Sequence, residues 1–174
     1  MKAIKMILVG LAMLFAGQVM AQDVKVDENA VVKVGEDVPV FTVQMADGST
    51  INSADLKGKV VLVNFWATWC PPCRAEFKRI PAEIVEAFAG QDFVLLAISR
   101  EEPLETVTEF MKENGYTFPV GLDQDRSIYA KFALNSIPRN YLIDKQGKVV
   151  AAEIGYTAAH FDELIAKIKA ELAK

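Results

Sequence analysis

Apolar residues run unbroken from Val60 to Val63 and resume at Phe65 and Trp66. A valine-rich run without polar alternation predicts a strand buried on both faces, as at the centre of a parallel or mixed sheet. Asp92-Phe-Val-Leu-Leu-Ala-Ile-Ser99 predicts a second such strand. Ahead of them, Val38 to Met45 alternates with a period of two, Asp47-Gly48 signals a hairpin turn, and Thr50-Ile51 begins the return. Asn52 to Leu56 reads as one capped helical turn, closed by Lys57-Gly58. After Cys73 the period lengthens to that of a helix, with Ala75, Phe77, Ile80, Ile84, Val85 and Phe88 on one face. Pro81 should kink that helix or end its first segment, and Gly90 stops it. Pro103 to Asn114 is amphipathic, with Gly115 as its cap, and Phe118 to Leu122 is a short strand. Asp125 is expected to cap a helix carrying Ile128, Tyr129 and Phe132. Ile137-Pro138 precedes a strand ending at Asp144, and a turn leads to an alternating strand from Lys148 to Gly155. Thr157 caps a last helix from Ala158 to about Leu172, whose Phe161, Leu164, Ile165 and Ile168 face inward while His160 faces solvent. Alternating strands and helices define an α/β domain, and the late hairpin adds antiparallel pairs.

Length and composition change this picture at one end only. The 174 residues suffice for one domain and fall short of two. No repeat, low-complexity segment or linker divides them. The first residues pair Lys2 and Lys5 with an apolar stretch from Met6 to Ala16, and Val19-Met20-Ala21 ends on small-residue spacing before Gln22. This is the pattern of a secretory signal peptide occupying residues 1–21. The apolar stretch is shorter than the roughly 20 residues of a comfortable span. Only an uncleaved leader, acting as an anchor, would tie the protein to a membrane. No cysteine stands near the cleavage point to take a lipid. Residues 22–37 are a polar, valine-rich lead-in or a short edge strand, and 38–174 the domain. Cleavage would remove two lysines and no acid, taking the net charge from −4 to −6. No basic patch remains, which excludes nucleic-acid binding as a reading.

The candidate chemistry lies where the first buried strand ends, at Trp69-Cys70-Pro71-Pro72-Cys73. The chain has two cysteines and both are here. Cys70 precedes a helix, whose free amide donors and dipole favour a thiolate. Pro71 and Pro72 suit a first turn, where a missing N–H costs little. Cys73 is near enough to close a disulfide with Cys70. Three duller readings compete. A structural staple across so short a loop would contribute only ~2 kcal/mol. Zinc needs four nitrogen or sulfur ligands, and beyond the pair there is one distant histidine, His160. A redox-silent binding module would have no use for intact cysteines. These residues call for no metal and no cofactor.

With Phe65-Trp-Ala-Thr-Trp-Cys-Pro-Pro-Cys-Arg-Ala-Glu76, Ile137-Pro138 and Tyr141-Leu-Ile-Asp144, the sequence resembles the thioredoxin superfamily. More narrowly, it resembles the TlpA/ResA/CcmG-like extracytoplasmic thiol–disulfide oxidoreductases, from about Val38 to the C-terminus. The resemblance implies a thioredoxin-like fold with an N-terminal β-hairpin at 38–52 and a central helix–strand insertion at about 102–122. It implies that Cys70 is the exposed nucleophile and Cys73 the buried resolving thiol of a redox disulfide. Pro138 matches the family's cis-proline facing that disulfide. Ile137 before it is bulkier than the usual residue and should touch substrate, as should Trp69, Pro71 and Pro72. Trp66 is expected in the core. Glu76 matches a family glutamate that would move a proton to or from Cys73; on chemistry alone it is equally an exposed helix carboxylate. Thioredoxin has a buried aspartate where this chain has Asn64, which cannot act as a base. The implied partners are proteins with disulfides or thiols, and a membrane-bound thiol reductase as electron donor. The implied place is the periplasm or another extracytoplasmic space, and the implied activity reduction of protein disulfides, cytochrome c maturation included. A thiol peroxidase is the alternative enzyme, since peroxiredoxins share the Asp55-Leu-Lys-Gly-Lys-Val-Val-Leu62 opening. They carry a threonine three residues before the reactive cysteine, where this chain has Ala67. A non-enzymatic module of the same fold is the other alternative.

Overall fold

A computed structural model describes residues 27–174 of the chain. The expected leader and the first residues of the lead-in lie outside them.

Strands β1 (Thr42–Met45), β2 (Thr50–Asn52), β3 (Val60–Trp66), β4 (Phe93–Arg100), β5 (Val120–Asp123), β6 (Arg139–Ile143) and β7 (Val149–Ile154) form one sheet, in the order β2-β1-β5-β4-β3-β6-β7. β3, β4 and β5 run parallel, while β1 and β6 join this centre antiparallel and β2 and β7 pair outward in hairpins. The helices are α1 (Pro71–Phe77), α2 (Leu104–Glu113), α3 (Tyr129–Phe132) and α4 (Ala158–Leu172). Between α1 and β4 the helical path passes into a wide π-type turn at Pro81–Glu86. Pro81 has no N–H to continue an α-helical ladder, which is the interruption its position predicts.

β3 is buried at every position, because both faces of the sheet are covered. Val60, Leu62 and Trp66 face one core with Phe77, Ile84, Phe161 and Leu164 of the helices. Val61, Val63 and Phe65 face the other, with Tyr129 and Phe132 of α3. Period-two alternation thus sends neighbouring valines into different cores. Val85, expected on the inner face of the helix, is partly exposed because the wide turn at Pro81–Glu86 changes the helical phase there. The N-terminal hairpin docks through β1 onto β5, where a Cβ at Gly121 would stand 2.5 Å from Val43 Cγ2. Glycine is what allows that approach.

Among the described residues, 27–37 of the lead-in form no strand. Isolated bridges tie Ala30 to Ala133 and Asp37 to Lys148. An ion pair joins the half-buried Asp27 to the buried Arg139 at 2.6 Å, and this bond holds the Asp27 carboxyl below its usual range. α3 is capped from further back than expected. The Asp123 carboxylate accepts from the N–H of Ile128 and Tyr129, while Asp125 accepts only from Ser127. Asp123 sits at the buried end of β5, so it can reach under the turn.

Candidate functional site

Cys70 stands between the end of β3 and the first turn of α1. It is the N-cap of α1 in extended conformation, and its Sγ accepts from the Cys73 N–H at 3.3 Å. Cys70 and Cys73 form a disulfide. Pro71 and Pro72 occupy the first helical positions with exposed rings, and Trp69 before them is 60% exposed. Cys73 is fully buried, as expected. Cys70 is only 3% exposed, so the open nucleophile expected from the resemblance is not seen in the disulfide form. Its sulfur is turned back to Cys73 and lies 3.8 Å from the Ile137 carbonyl oxygen.

The Ile137–Pro138 bond is cis. Pro138 is buried and Ile137 half-buried. Their loop is fixed from several elements. The Tyr129 hydroxyl donates to the Ser136 carbonyl at 2.6 Å, Arg139 Nε to the Asn135 carbonyl at 2.9 Å, and the Gly155 N–H to the Pro138 carbonyl at 2.8 Å. Arg126 also donates to the Leu134 carbonyl. The loop therefore presents the Ile137 carbonyl to the disulfide from a braced position.

Glu76 is 1% exposed, which overturns the reading of an exposed helix carboxylate. The sheet register explains why. Asn64 on β3 and Asn140 on β6 are direct cross-strand partners, on the face that also bears Leu62, Trp66 and Leu142. α1 lies over that face and lowers Glu76 onto the pair. Asn140 Nδ2 donates to Glu76 Oε1 at 2.6 Å, Asn64 Nδ2 donates to Oε2 at 3.1 Å, and Asn64 also donates to Asn140 Oδ1 at 2.9 Å. Burial pushes the Glu76 carboxyl up to about 7, while the two amide bonds pull the other way without cancelling it. Asn64 belongs to the same buried cluster, because its amide holds the Glu76 carboxyl. On α1, residues 73 and 76 share a face, which puts this carboxyl on the Cys73 side of the disulfide.

The comparisons with known proteins agree with this geometry. The AhpC/TSA family model matches residues 34–152. The thiol-disulfide oxidoreductase ResA of Bacillus subtilis is 39% identical over 121 residues, covering 70% of this chain and 67% of that protein. The chain belongs to the AhpC/TSA family. Within it, the likeness to ResA identifies a TlpA/ResA/CcmG-like thiol–disulfide oxidoreductase with a thioredoxin-like fold. A solution structure from Bacteroides thetaiotaomicron, described as a candidate protein disulfide isomerase, is 40% identical with a TM-score of 0.80, over 84% of this chain and 94% of that one. A thiol:disulfide interchange protein of the thioredoxin family from Chlorobium tepidum is 31% identical with a TM-score of 0.67, over 81% and 98%. Thiol–disulfide oxidoreductases of this kind act on proteins bearing thiols or disulfides.

Two parts of the oxidoreductase site were not found from sequence. Asn140 is one; a lone amide two residues after Pro138, between Arg139 and the apolar end of a strand, is its signal. Glu102 is the other. This buried carboxylate accepts from Ser99 Oγ at 2.7 Å, the Thr68 N–H at 2.9 Å and Thr68 Oγ1 at 2.5 Å. It pins the loop that carries Trp69 and Cys70 to the end of β4. Its only sequence signal is an acid three residues after a serine that closes a buried strand.

Proposed function

We propose that this oxidoreductase works outside the cytoplasm as a reductant of protein disulfides, through a Cys70–Cys73 dithiol. Its leader, residues 1–21, would be removed, leaving the lead-in 22–37 and the domain 38–174. The observation that carries the reading is the buried Glu76, titrating near neutrality one helical turn from Cys73. The Cys70 thiolate attacks a substrate disulfide, forming a mixed disulfide and releasing one substrate thiolate, which takes a proton from water. The Cys73 thiol gives its proton to the Glu76 carboxylate, and the new thiolate attacks Cys70 Sγ. The second substrate thiolate leaves, and the protein holds the Cys70–Cys73 disulfide. Two electrons have passed to substrate, and a carboxyl near 7 suits both halves of this transfer at neutral pH. Pro138 and Ile137 act here by facing the exchanging sulfurs, and Trp69, Pro71 and Pro72 by meeting the substrate chain.

The leader pattern supports an extracytoplasmic place. There a membrane-bound thiol reductase would restore the dithiol, and apocytochrome c, its cysteines oxidised to a disulfide, is a fitting substrate class. A peroxidase fits less well. Ala67 holds the place of the expected threonine, and the Thr68 hydroxyl is taken up by Glu102. Insulin reduction by the dithiol form, followed by measurement of the reduction potential, tests the reading. Turbidity that rises with the reduced protein and not with Cys70→Ser, with a potential in the reducing range, is the expected result. A potential near that of strong oxidants would assign the opposite direction.

A further inference from the structure

Beyond Pro71, the active-site helix carries two cations, Arg74 and Lys78, that the exchange chemistry does not use. Pro71, Arg74 and Lys78 are spaced three and four apart, so they form one stripe leading away from Cys70. All three are exposed. The stripe borders an open pocket of about 250 Å³ whose far wall is Phe110 of α2 and Tyr116 after it. No carboxylate lines this pocket. Among the described residues neither Arg74 nor Lys78 has an ion-pair partner, although the chain is acidic overall. Arg74 instead lies over the Phe110 ring, 5.8 Å from its centroid. Two like charges four apart on a helix, with nothing to neutralise them, cost stability. A partner that supplies the opposite charge removes that cost.

Resting on the proposed reductase reading, we propose that this pocket is a subsite for an acidic side chain of the substrate polypeptide, close in sequence to the cysteine that Cys70 attacks. The reach fits. From Cys70 to Lys78 the helix rises about 12 Å, and an extended substrate covers about 3.3 Å per residue. An aspartate or glutamate within about four residues of the reacting cysteine therefore meets Arg74 or Lys78. Phe110 and Tyr116 give the methylenes of that segment an apolar wall. The insertion that contributes α2 thereby sets substrate preference, while the Cys-Pro-Pro-Cys turn does the exchange.

The test uses the dithiol form of the full domain and three disulfides. One is a peptide with a disulfide flanked by aspartates, one its asparagine twin, and one the small neutral hydroxyethyl disulfide. The aspartate peptide should be reduced about threefold to tenfold faster than its twin at low salt, with the gap closing at high salt. In the double variant Arg74→Gln, Lys78→Gln the two peptides should react alike, with the hydroxyethyl disulfide rate unchanged. In Lys78→Glu, a change at an exposed helix end, the preference should shrink or reverse. Equal rates for both peptides with the unaltered protein overturn the subsite. So does an equal loss on hydroxyethyl disulfide in the double variant, because the cations would then be acting on the Cys70 thiolate. Failure to reduce any of the three disulfides would instead refute the reductase reading itself.

Discussion

Replacing Glu76 with glutamine should change the sign of its effect on stability as pH rises. In the folded protein burial raises this carboxyl to about 7, from an ordinary value of 4.5. Below pH 4.5 the group is protonated folded or unfolded, and the fold loses nothing. Between 4.5 and 7 the unfolded chain ionises while the folded one resists, so stability falls as pH rises. Above about 7 the loss is complete, at roughly 3 kcal/mol. Glutamine has the same shape and no such loss. It does bring an amide donor into a site where Asn64 and Asn140 already donate. One bond is then mismatched, at a cost of about 1–2 kcal/mol. Asn64 Oδ1 has no partner, so turning that amide would offer an acceptor to glutamine while giving up the bond to Asn140. The expected outcome is a Glu76→Gln protein less stable than the parent by about 1–2 kcal/mol at pH 4, and more stable by about the same amount at pH 8. Urea unfolding of both oxidised proteins from pH 4 to 8 measures this, because other groups titrate alike in both and cancel. A difference that stays constant across that range would refute the raised carboxyl and the proton role built on it.

Glu102→Ala should leave Ser99 and Thr68 without their acceptor and loosen the Trp69–Cys70 loop, at about 1–3 kcal/mol. Amide exchange at Thr68 should quicken well beyond that of β4, and unchanged protection would assign the loop's hold to other contacts. Phe77→Ala should cost about 3–5 kcal/mol by urea unfolding, since its ring is buried against Trp66 at 4.1 Å and Phe118 at 5.3 Å; a loss under about 1 kcal/mol would mean the core closes over the gap. Protein recovered from the cell envelope should begin at Gln22 by mass spectrometry, and an intact Met1 would instead make the leader an anchor.

The sheet and its order of elements were legible because both periods are strong. β3 and β4 are largely apolar runs that each begin shortly after a glycine, Gly58 and Gly90, and α4 begins at a threonine cap and follows the inner face expected of it. The cysteine pair was legible because two sulfurs three apart before a helix leave few other uses. What sequence could not convey was pairing across the sheet. Asn64 reads as a polar defect in a buried strand until the β3–β6 register sets it opposite Asn140. Glu76 reads as an ordinary helix carboxylate until α1 is laid on that face. Glu102 and Asp123 each bond to backbone several residues away, and only the folded path of the chain brings those donors near. The cap expected at Asp125 followed from proximity in sequence, whereas the stronger acceptor stood at the buried end of β5.

Exchange by this protein depends on a division of labour between Cys70 and Cys73. Cys73→Ser, expressed with its own leader, leaves a Cys70 mixed disulfide that no second thiol in the chain can resolve. After free thiols are blocked, this variant should accumulate protein adducts that dithiothreitol releases, and Cys70→Ser should accumulate none. Adducts on Cys70→Ser instead, with none on Cys73→Ser, would contradict the assignment of the attacking sulfur.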